Sequence, residues 1–353
     1  MSTLPHKTNP KILIVLIAGI GDLILASKSI RAIRNGYPDA EIHLLTSTEA
    51  GPLAENYPYI DYVHAFPVRE LRKDKHFLFS IVRNIRNLRR IRFDLCINLY
   101  RVGSLSGAVK MGILFSLLKA KRKIGHDKDG FGLFLTEKVS SGVFKGRHVV
   151  DAMQEIASQA GGATDDRGLD VFWSPKITAK WDTFFAQMEG KNRVGINPGG
   201  DRENRRWAPD RFAAVAERII EQFHSKVILL GGPKDRQIAA SIECGIHSDI
   251  VNLSGKIPLE ELPYVISRLD LLITNDSGPM HIAAATKTPL VALFGPEDPR
   301  LFGPYTAPAL YRVIQKEVPC RPCRDDQCAH PSCLDLITPD EVLAACVELL
   351  QSR

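Results

Sequence analysis

The stretch from residue 269 to residue 305 restricts the fold of this chain more than any other. Residues 271–273 form a short apolar run that suits a strand covered on both faces, and residues 289–295 form another. Between them, small polar residues lead to Pro279, which suits the first helical position because its missing N–H has no helical partner there. The pattern predicts strand, tight turn, helix and strand, the repeating unit of a parallel sheet.

The turn of this unit, residues 275–278, opens a helix at the carboxyl end of a strand. Such a position has free N–H groups and a partial positive charge, so it suits a diphosphate. Asp276 or Ser277 can also cap the first helical turn, as in any α/β protein. Taken alone, the turn fits an ordinary capped connection better than a binding site.

The length of 353 residues suits two domains better than one. Apolar strands alternate with helical spacing in the first half, and we predict strands at residues 11–17, 41–45, 62–66 and 94–99, with weaker ones near Lys123 and Lys138. This pattern lapses at residues 161–175, which we take as the link between a domain at 1–170 and a domain at 171–353. The predicted fold class is α/β, with two Rossmann-like, doubly wound parallel sheets.

In the second half, three predicted strands end in turns rich in glycine. Residues 193–197 lead to Gly199 and Gly200, residues 226–230 to Gly231 and Gly232, and residues 251–253 to Gly255 and Lys256. Because the carboxyl ends of parallel strands meet at one edge, these turns should converge with the arginines near position 205 and with the turn at 275–278. This convergence predicts a nucleotide-diphosphate site.

The GIGD turn after the first strand has part of a dinucleotide-binding fingerprint. Its third glycine position holds Ile24, and no acidic residue follows the second strand. Two features of a site for a nicotinamide dinucleotide are therefore missing. The glycines let the backbone turn sharply, and they leave Asp22 at the mouth of a helix predicted over residues 22–35.

Basic residues concentrate in the first half, although the net charge of +6 is modest. Residues 69–92 carry nine Lys or Arg against two acids, with Phe77, Ile81, Ile85 and Leu88 at helical spacing. A second apolar stretch, residues 111–118, is flanked by lysines. The basic segment is either a solvated helix on its sheet or a face for anionic headgroups or a phosphorylated glycolipid. No targeting segment is evident and no apolar run approaches the roughly 20 residues of a spanning helix, so we expect a cytoplasmic protein.

Four of the seven cysteines lie within fourteen residues, as C-x2-C-x4-C-x4-C: Cys320, Cys323, Cys328 and Cys333. This clustering is unlike a secreted disulfide framework. Four thiolates at such spacing can surround a structural metal, of which Zn²⁺ fits best. The spacing is not that of a standard zinc finger, so reduced thiols or a labile disulfide are the alternatives.

The motifs together resemble the lipopolysaccharide (ADP-heptose) heptosyltransferase family, glycosyltransferase family 9. They are GIGD, HVVDAMQEIASQAG, NPGGDRENRRW, VILLGGPKD, the run over residues 252–305 and the cysteine-rich tail at 320–333. The resemblance implies the GT-B architecture, in which two domains face a cleft. It implies that residues 1–170 bind the acceptor and residues 171–353 the donor.

The resemblance also supplies an activity. It implies transfer of heptose, with inversion, from ADP-heptose to the inner core of lipopolysaccharide or lipooligosaccharide, with no cofactor required for catalysis. The acceptor would be the anionic core joined to lipid A, reached at the cytoplasmic face of the inner membrane by peripheral contact. Nucleic acid is not an expected partner.

Site residues follow from the resemblance where positions match. Asp22 matches the catalytic base, and Arg205 stands where the family commonly has lysine, with a guanidinium that can grip phosphate in a bidentate way. The implied donor-binding residues are Gly199, Gly200, Arg205, Gly232, Lys256, Asp276, Ser277, Gly278 and His281. The implied acceptor-binding residues are Gly21, Arg101 and Arg122.

Each role has a structural alternative. Asp22 could serve only as a helix N-cap, His281 as a core residue and Lys256 as a solvated lysine. For the whole chain, the alternatives are a GT-B enzyme that uses another nucleotide sugar, as a transferase or an epimerase, and a non-catalytic protein of the same fold that binds nucleotide or glycan. Donor hydrolysis would separate an enzyme from the binding protein.

Overall fold

A computed structural model of the chain describes residues 9–68, 77–127, 130–140, 146–321, 323, 328 and 332–352. The chain divides into two compact units, Met1–Leu169 (unit 1) and Asp170–Arg353 (unit 2). This division lies one residue before the boundary predicted from the sequence.

Unit 1 contains a six-stranded, wholly parallel sheet in the order β3-β2-β1-β4-β5-β6. Its strands are β1 (Lys11–Leu16), β2 (Glu41–Ser47), β3 (Tyr62–Phe66), β4 (Phe93–Asn98), β5 (Ala120–Asp127) and β6 (Glu137–Ser140). Every residue of β4 is buried, because helices cover both faces of a doubly wound sheet. The two weaker strand predictions, near Lys123 and Lys138, are confirmed as β5 and β6.

Five helices of unit 1 lie in the part of the chain that the structure describes: α1 (Ile20–Gly36), α2 (Gly51–Ala54), α3 (Phe77–Arg90), α4 (Leu105–Leu117) and α5 (Val149–Gln159). The helices α3 and α4 cover one face of the sheet, in a core that contains Leu13, Val15 and Cys96. The helices α1 and α5 pack against each other. Residues 69–76 of the predicted basic helix lie outside the described residues, and its described part is α3.

Unit 2 contains a second six-stranded parallel sheet, in the order β12-β11-β10-β7-β8-β9. Its strands are β7 (Arg193–Asn197), β8 (Lys226–Leu229), β9 (Val251–Asn252), β10 (Leu271–Asn275), β11 (Leu290–Phe294) and β12 (Tyr311–Gln315). Its helices in the described residues are α6 (Thr178–Ala186), α7 (Pro209–Phe223), α8 (Arg236–Cys244), α9 (Leu262–Ser267), α10 (Gly278–Thr286), α11 (Pro299–Phe302), α12 (Ser332–Asp335) and α13 (Pro339–Gln351). Every residue of β10 and of β11 is buried.

The last part of unit 2 was not predicted from the sequence. The strand β12 extends the sheet beside β11, and α13 packs on α7. The indole N–H of Trp207 donates to the carbonyl of Ile337 over 3.1 Å, so the C-terminal helix completes the core that begins at β7. Every residue of β12 is only partly buried, and its sequence mixes polar and apolar residues, so this strand has no clear apolar signature.

Among the described residues, no helix has both the length and the apolar character needed to cross a membrane.

Candidate functional site

The two sheets have the same topology when their strands are numbered within each unit. Each follows the order 3-2-1-4-5-6, so the first and fourth strands are neighbours: β1 beside β4 in unit 1, and β7 beside β10 in unit 2. At such a pair the chain leaves the sheet in opposite directions, which opens a crevice at the carboxyl ends of the strands. These two switch points are the places where the predicted site residues of each unit are expected.

At the switch point of unit 2, two buried asparagines fix the loops. The amide of Asn275, the last residue of β10, donates to the carbonyls of Pro198 over 2.8 Å and of Gly199 over 3.3 Å. Its oxygen accepts the backbone N–H of Trp207 over 3.1 Å. The loop after β7 is therefore bound directly to the end of β10.

The second asparagine, Asn197 at the end of β7, lies in a hydroxyl network. Its amide donates to Thr274 over 3.3 Å and to Ser277 over 3.2 Å, and the two hydroxyls lie 3.2 Å apart. Ser277 is the N-cap residue of α10, but its hydroxyl makes no capping bond. The prediction that Asp276 or Ser277 caps this helix through its side chain is wrong, because the hydroxyl of Ser277 is engaged by the network.

The first turn of α10 lies at the same edge. Gly278 is its first residue and Pro279 its second, one position later than predicted. His281 is buried on the first turn, with 5% of its surface exposed, in agreement with the core alternative. A buried histidine on this turn can also contact a ligand at the helix end, so the donor role of His281 stays a prediction.

An ionic cluster links three loops at this edge. Arg205 follows β7, Asp276 follows β10 and Glu297 follows β11. The guanidinium of Arg205 lies 3.5 Å from the carboxylate of Asp276 and forms an ion pair with Glu297. The Nε atom of Arg205 is buried and has no hydrogen-bond partner among the described residues, so this donor is left unsatisfied by the protein.

Asp276 is the most perturbed carboxylate of this cluster. Only 9% of its side chain is exposed, and burial raises the pKa of Asp276 to about 6, which the nearby Glu297 reinforces and Arg205 opposes. A strongly perturbed pKa beside a charged partner at a switch point is typical of a functional site. The cluster carries a net charge of about −1 when both acids are ionised, since one guanidinium faces two carboxylates.

Glycine at position 199 has a steric reason. A Cβ atom there would lie 2.6 Å from the carboxyl group of Asp235, in the loop after β8. Asp235 also accepts the backbone N–H of Gly232 over 2.8 Å. Asp235 thus binds Gly232 and leaves no room for a side chain at position 199, whereas a side chain at Gly200 would meet only ordinary contacts.

Lys256 lies further along the same edge, after the outer strand β9. Its ammonium donates to the carbonyl of Asn252 over 2.7 Å, and the strand β8 lies between β9 and β7 in the sheet. The structure therefore does not bring Lys256 into the ionic cluster, and its donor role stays a prediction.

At the switch point of unit 1, α1 begins two residues earlier than predicted. Its N-cap is Gly19, which leaves Asp22 as the third residue of the first turn. The alternative of Asp22 as the N-cap is therefore wrong, because that position belongs to Gly19. Arg101 follows the neighbouring strand β4, so Gly21, Asp22 and Arg101 lie at the same edge of the sheet.

Arg122 lies elsewhere. It pairs in register with Leu95 of β4, which pairs with Ile12 near the start of β1, so it lies toward the amino ends of the strands. Its guanidinium forms a bidentate pair with Glu137, over 2.6 and 2.8 Å. Arg122 is therefore bound to a neighbouring strand at the far end of the sheet from Gly21, and its acceptor role stays a prediction.

The four cysteines of the tail do not form a metal centre in the described residues. Cys320 is exposed, Cys323 and Cys328 are partly covered and Cys333 is buried. Burial and the nearby Cys320 and Cys328 raise the pKa of Cys333. Over the described chain, no three His, Cys, Asp or Glu are arranged to hold a metal ion, and residues 322, 324–327 and 329–331 lie outside that description. The structural zinc stays a prediction.

Four polar residues at the unit 2 edge were missed from the sequence. They are Asn197, Asp235, Asn275 and Glu297. A signal existed for the asparagines, because each is the polar end of an apolar strand that leads into a glycine-containing turn. No local signal marks Glu297 as a partner of Arg205, since the two lie 92 positions apart.

Known protein structures share the two-unit fold described above. Two Rossmann-like parallel-sheet units of one topology define the GT-B class of glycosyltransferase fold. The structure is similar to that of a family 9 glycosyl transferase from Veillonella parvula, with a TM-score of 0.83, 23% identity and coverage of 99% of this chain and 100% of that chain. It is similar to Escherichia coli ADP-heptose LPS heptosyltransferase II with a TM-score of 0.75, 22% identity and coverage of 97% and 99%.

The sequence gives the family. The model of glycosyltransferase family 9 (heptosyltransferase) matches residues 81–333, so the chain belongs to this family and is a glycosyltransferase. Lipopolysaccharide heptosyltransferase 3 of Escherichia coli is 27% identical over 343 residues, which cover 94% of this chain and 97% of that protein. Lipopolysaccharide heptosyltransferase 1 of Campylobacter coli is 28% identical over 303 residues, covering 81% and 84%.

Proposed function

We propose that this chain transfers heptose from ADP-heptose to the inner core of lipopolysaccharide or lipooligosaccharide, with inversion at the anomeric carbon. Family membership and the names of the relatives support the substrate class. The single observation that carries the donor site is the ionic cluster beside the start of α10, at the switch point of unit 2.

The diphosphate of the donor would bind at this edge. The first turn of α10 offers backbone N–H groups and the positive end of the helix dipole, and Gly278 allows a close approach. Arg205 adds a fixed charge whose unpartnered Nε can donate to a phosphate oxygen. Gly199, Gly200, Gly232 and Lys256 are the further donor residues of the proposal, together with Asp276, Ser277 and His281.

Departure of the diphosphate is the step that this charge should assist. Transfer passes through an oxocarbenium-like state, in which negative charge grows on the leaving diphosphate. A preorganised guanidinium and helix end stabilise that developing charge more than they stabilise the bound donor. The carboxylates of Asp276 and Glu297 hold Arg205 in place before the donor arrives.

Asp22 is the proposed base that takes the proton of the acceptor hydroxyl, with Gly21 and Arg101 beside it at the acceptor end of unit 1. The positive end of α1 favours the ionised carboxylate, so Asp22 is a weak base toward a free alcohol. It becomes adequate once the attacking oxygen bonds to the anomeric carbon and its proton turns acidic.

The test is a transfer assay with a panel of nucleotide heptoses and truncated core acceptors, with linkage analysis of the product. We expect ADP-heptose to be consumed and an inverted glycosidic bond to form. Transfer from another nucleotide sugar alone would replace the donor assignment. Tight donor binding with neither transfer nor hydrolysis would instead indicate a binding protein. Because the acceptor carries lipid A, we also propose that the protein works in peripheral contact with the cytoplasmic face of the inner membrane.

A further inference from the structure

Large apolar side chains that remain exposed are concentrated in one part of unit 1. Among the described residues, eight such side chains are strongly exposed, and six of them belong to α3, α4 and the loop after β5: Phe79, Val82, Leu105, Val109, Ile113 and Leu133. Single exposed apolar residues are normal on a protein surface, but a cluster of this kind indicates an interaction site.

The helix α4 is apolar on two sides. Its inner side contributes Met111 and Phe115 to the core of unit 1. Its outer side carries Leu105, Val109 and Ile113 at successive turns, with 69%, 55% and 58% of their surfaces exposed. Lys110 is the single charged residue within its bounds. Helices that are apolar on both sides are typically covered on the outer side as well.

The helix α3 and the loop continue this exposed side. The helix α3 contacts α4, and Phe79 at its beginning is 76% exposed. In the loop, Phe134 packs on Phe115 of α4 with ring centroids 4.9 Å apart, and its neighbour Leu133 points away from the core, 84% exposed. We call the outer sides of α3, α4 and this loop the α3–α4 surface.

The charge around the α3–α4 surface has one sign. Residues 77–124 contain eleven Lys or Arg and a single acid, Asp94, which is buried. The basic side chains exposed on α3, on α4 and just after α4 are Arg83, Arg86, Arg89, Arg90, Lys110, Lys119 and Lys121. Apolar side chains among Lys and Arg are typical of helices that lie in the interface of an anionic bilayer.

This charge argues against a second copy of the chain as the occupant. In a two-fold symmetric contact the same surface meets itself, so these basic residues would face one another. Like charges placed opposite each other across an interface cost several kcal/mol. A bilayer with anionic headgroups instead offers opposite charge at its surface and apolar chains beneath.

We propose that the α3–α4 surface docks the protein on an anionic lipid bilayer. The apolar side begins at Leu105, four positions after Arg101, at the sheet edge that carries Asp22. Docking through α4 holds this edge near the headgroups, where a lipid-anchored acceptor presents its sugar. The placement of this edge near a lipid-anchored acceptor rests on the proposed function, whereas the docking of the α3–α4 surface on a bilayer does not.

Vesicle sedimentation with the full-length protein tests the docking. We expect binding to vesicles that contain phosphatidylglycerol, little binding to phosphatidylcholine vesicles, and loss of binding as salt screens the basic residues. The double variant Val109→Asp with Ile113→Asp should lower the vesicle partition coefficient about tenfold or more, since two apolar side chains no longer enter the bilayer. Leu336→Asp is the matched control, because Leu336 is 53% exposed but lies in unit 2.

Three results would overturn the docking proposal: wild-type protein that does not bind anionic vesicles, a double variant that binds them as well as wild type, or a Leu336 variant that loses binding equally. A wild-type dimer that the double variant converts to monomer, without vesicle binding, would assign the surface to self-association. Thermal unfolding of the variants near the wild-type temperature confirms that the loss is not one of folding.

A kinetic comparison separates this inference from the proposed function. On a water-soluble truncated core acceptor, the double variant should turn over at the wild-type rate. On the same acceptor with its lipid in anionic vesicles, it should lose about tenfold or more in rate, in line with its lost binding. Equal rates on the lipid acceptor overturn the docking. Absence of any heptose transfer by the wild type, with vesicle binding as expected, overturns the proposed function alone.

Discussion

In unit 1 the switch point lies between β1 and β4, and in unit 2 it lies between β7 and β10, within sheets of the same strand order. At the unit 2 switch point, Arg205, Asp276 and Glu297 from three loops face one another, and two asparagines bind the strand ends together. At the unit 1 switch point, α1 begins at a glycine cap and carries Asp22 on its first turn, beside helices whose outer sides are apolar.

This difference indicates how two sheets of the same strand order can suit two kinds of ligand. A guanidinium that two carboxylates hold beside the start of a helix suits a compact, charged group such as a diphosphate, because the positions of its donors are fixed in advance. Under the proposed function, a carboxylate on the first turn of a helix, beside an apolar and basic surface, suits a large acceptor that is held elsewhere, by its lipid. Substitutions in each of the two units test this contrast.

The largest effect should come from Asp22. Asp22→Asn keeps the size of the side chain but cannot accept a proton, so we expect turnover to fall by about 100-fold or more. Donor affinity and the unfolding temperature should stay close to wild type, because the N-cap of α1 is Gly19 and not Asp22. Steady-state kinetics and calorimetric donor binding measure the two quantities. An Asn variant with near wild-type turnover removes the base role.

Arg205 tests the charged cluster of unit 2. Arg205→Ala should raise the barrier of transfer by about 2–4 kcal/mol, and turnover should fall more than donor affinity, since the charge matters most as the diphosphate leaves. Arg202→Ala removes the same charge from an exposed neighbour and is the control, with little expected change. If only the apparent donor affinity falls, Arg205 is an anchor of the bound donor and not a catalytic group.

The anchoring of α1 in unit 1 can be tested through its buried arginine. Arg31 has no exposed surface and forms a bidentate pair with Asp165, over 2.9 and 2.7 Å. Asp165→Asn removes the negative charge of this bidentate pair, so we expect the free energy of unfolding to fall by about 2–3 kcal/mol at neutral pH. Urea denaturation measures it, and Asp166→Asn, at the exposed neighbour, is the control.

The pH dependence of this stabilisation has a defined sign. Arg31 holds the pKa of Asp165 well below its usual range, so the stabilisation is present above the unfolded pKa of about 3.9 and is lost as pH falls below it. The difference between wild type and Asp165→Asn should therefore shrink below about pH 4. A constant difference across this range would show that the pair acts through packing and not through charge.

A smaller effect should appear in donor binding near pH 6. Burial raises the pKa of Asp276 to about 6, and a diphosphate placed beside it would raise that pKa further. Binding of a nucleotide sugar should therefore take up a proton and become a few-fold tighter as pH falls from about 7 to about 5. The diphosphate diester of the sugar itself does not titrate there. Calorimetry in buffers of different ionisation enthalpy measures the uptake, which Asp276→Asn should abolish.

The smallest effect concerns the cysteine-rich tail. Turnover should be unchanged by EDTA, because no step of the proposed transfer uses a metal. Elemental analysis of untagged protein decides between one zinc per chain and free thiols or a disulfide at Cys320, Cys323, Cys328 and Cys333. Protein without bound metal would end the zinc hypothesis.

Local patterns in the sequence determined the two parallel-sheet domains, the turns at their strand ends and the family. The segments at residues 193–197 and 62–66 became strands with the predicted bounds. The fully buried strand β11 is an unbroken apolar segment, as a strand covered on both faces needs. Glycine turns after strands likewise predicted the edge at which Gly199, Asp276 and Asp22 lie, since parallel strands end together.

Only the tertiary structure decided which polar residues meet. Arg205 bonds Glu297 from 92 positions away, and Arg122 bonds Glu137 at the opposite end of the sheet from Asp22, although both arginines looked equally available in the sequence. The outer stripe of α4 was likewise hidden, since a helix apolar on two sides does not reveal which side the sheet covers. Strand order and packing determine the partner of each charged side chain and the buried side of each helix, because contacts depend on distance in space and not on distance along the chain.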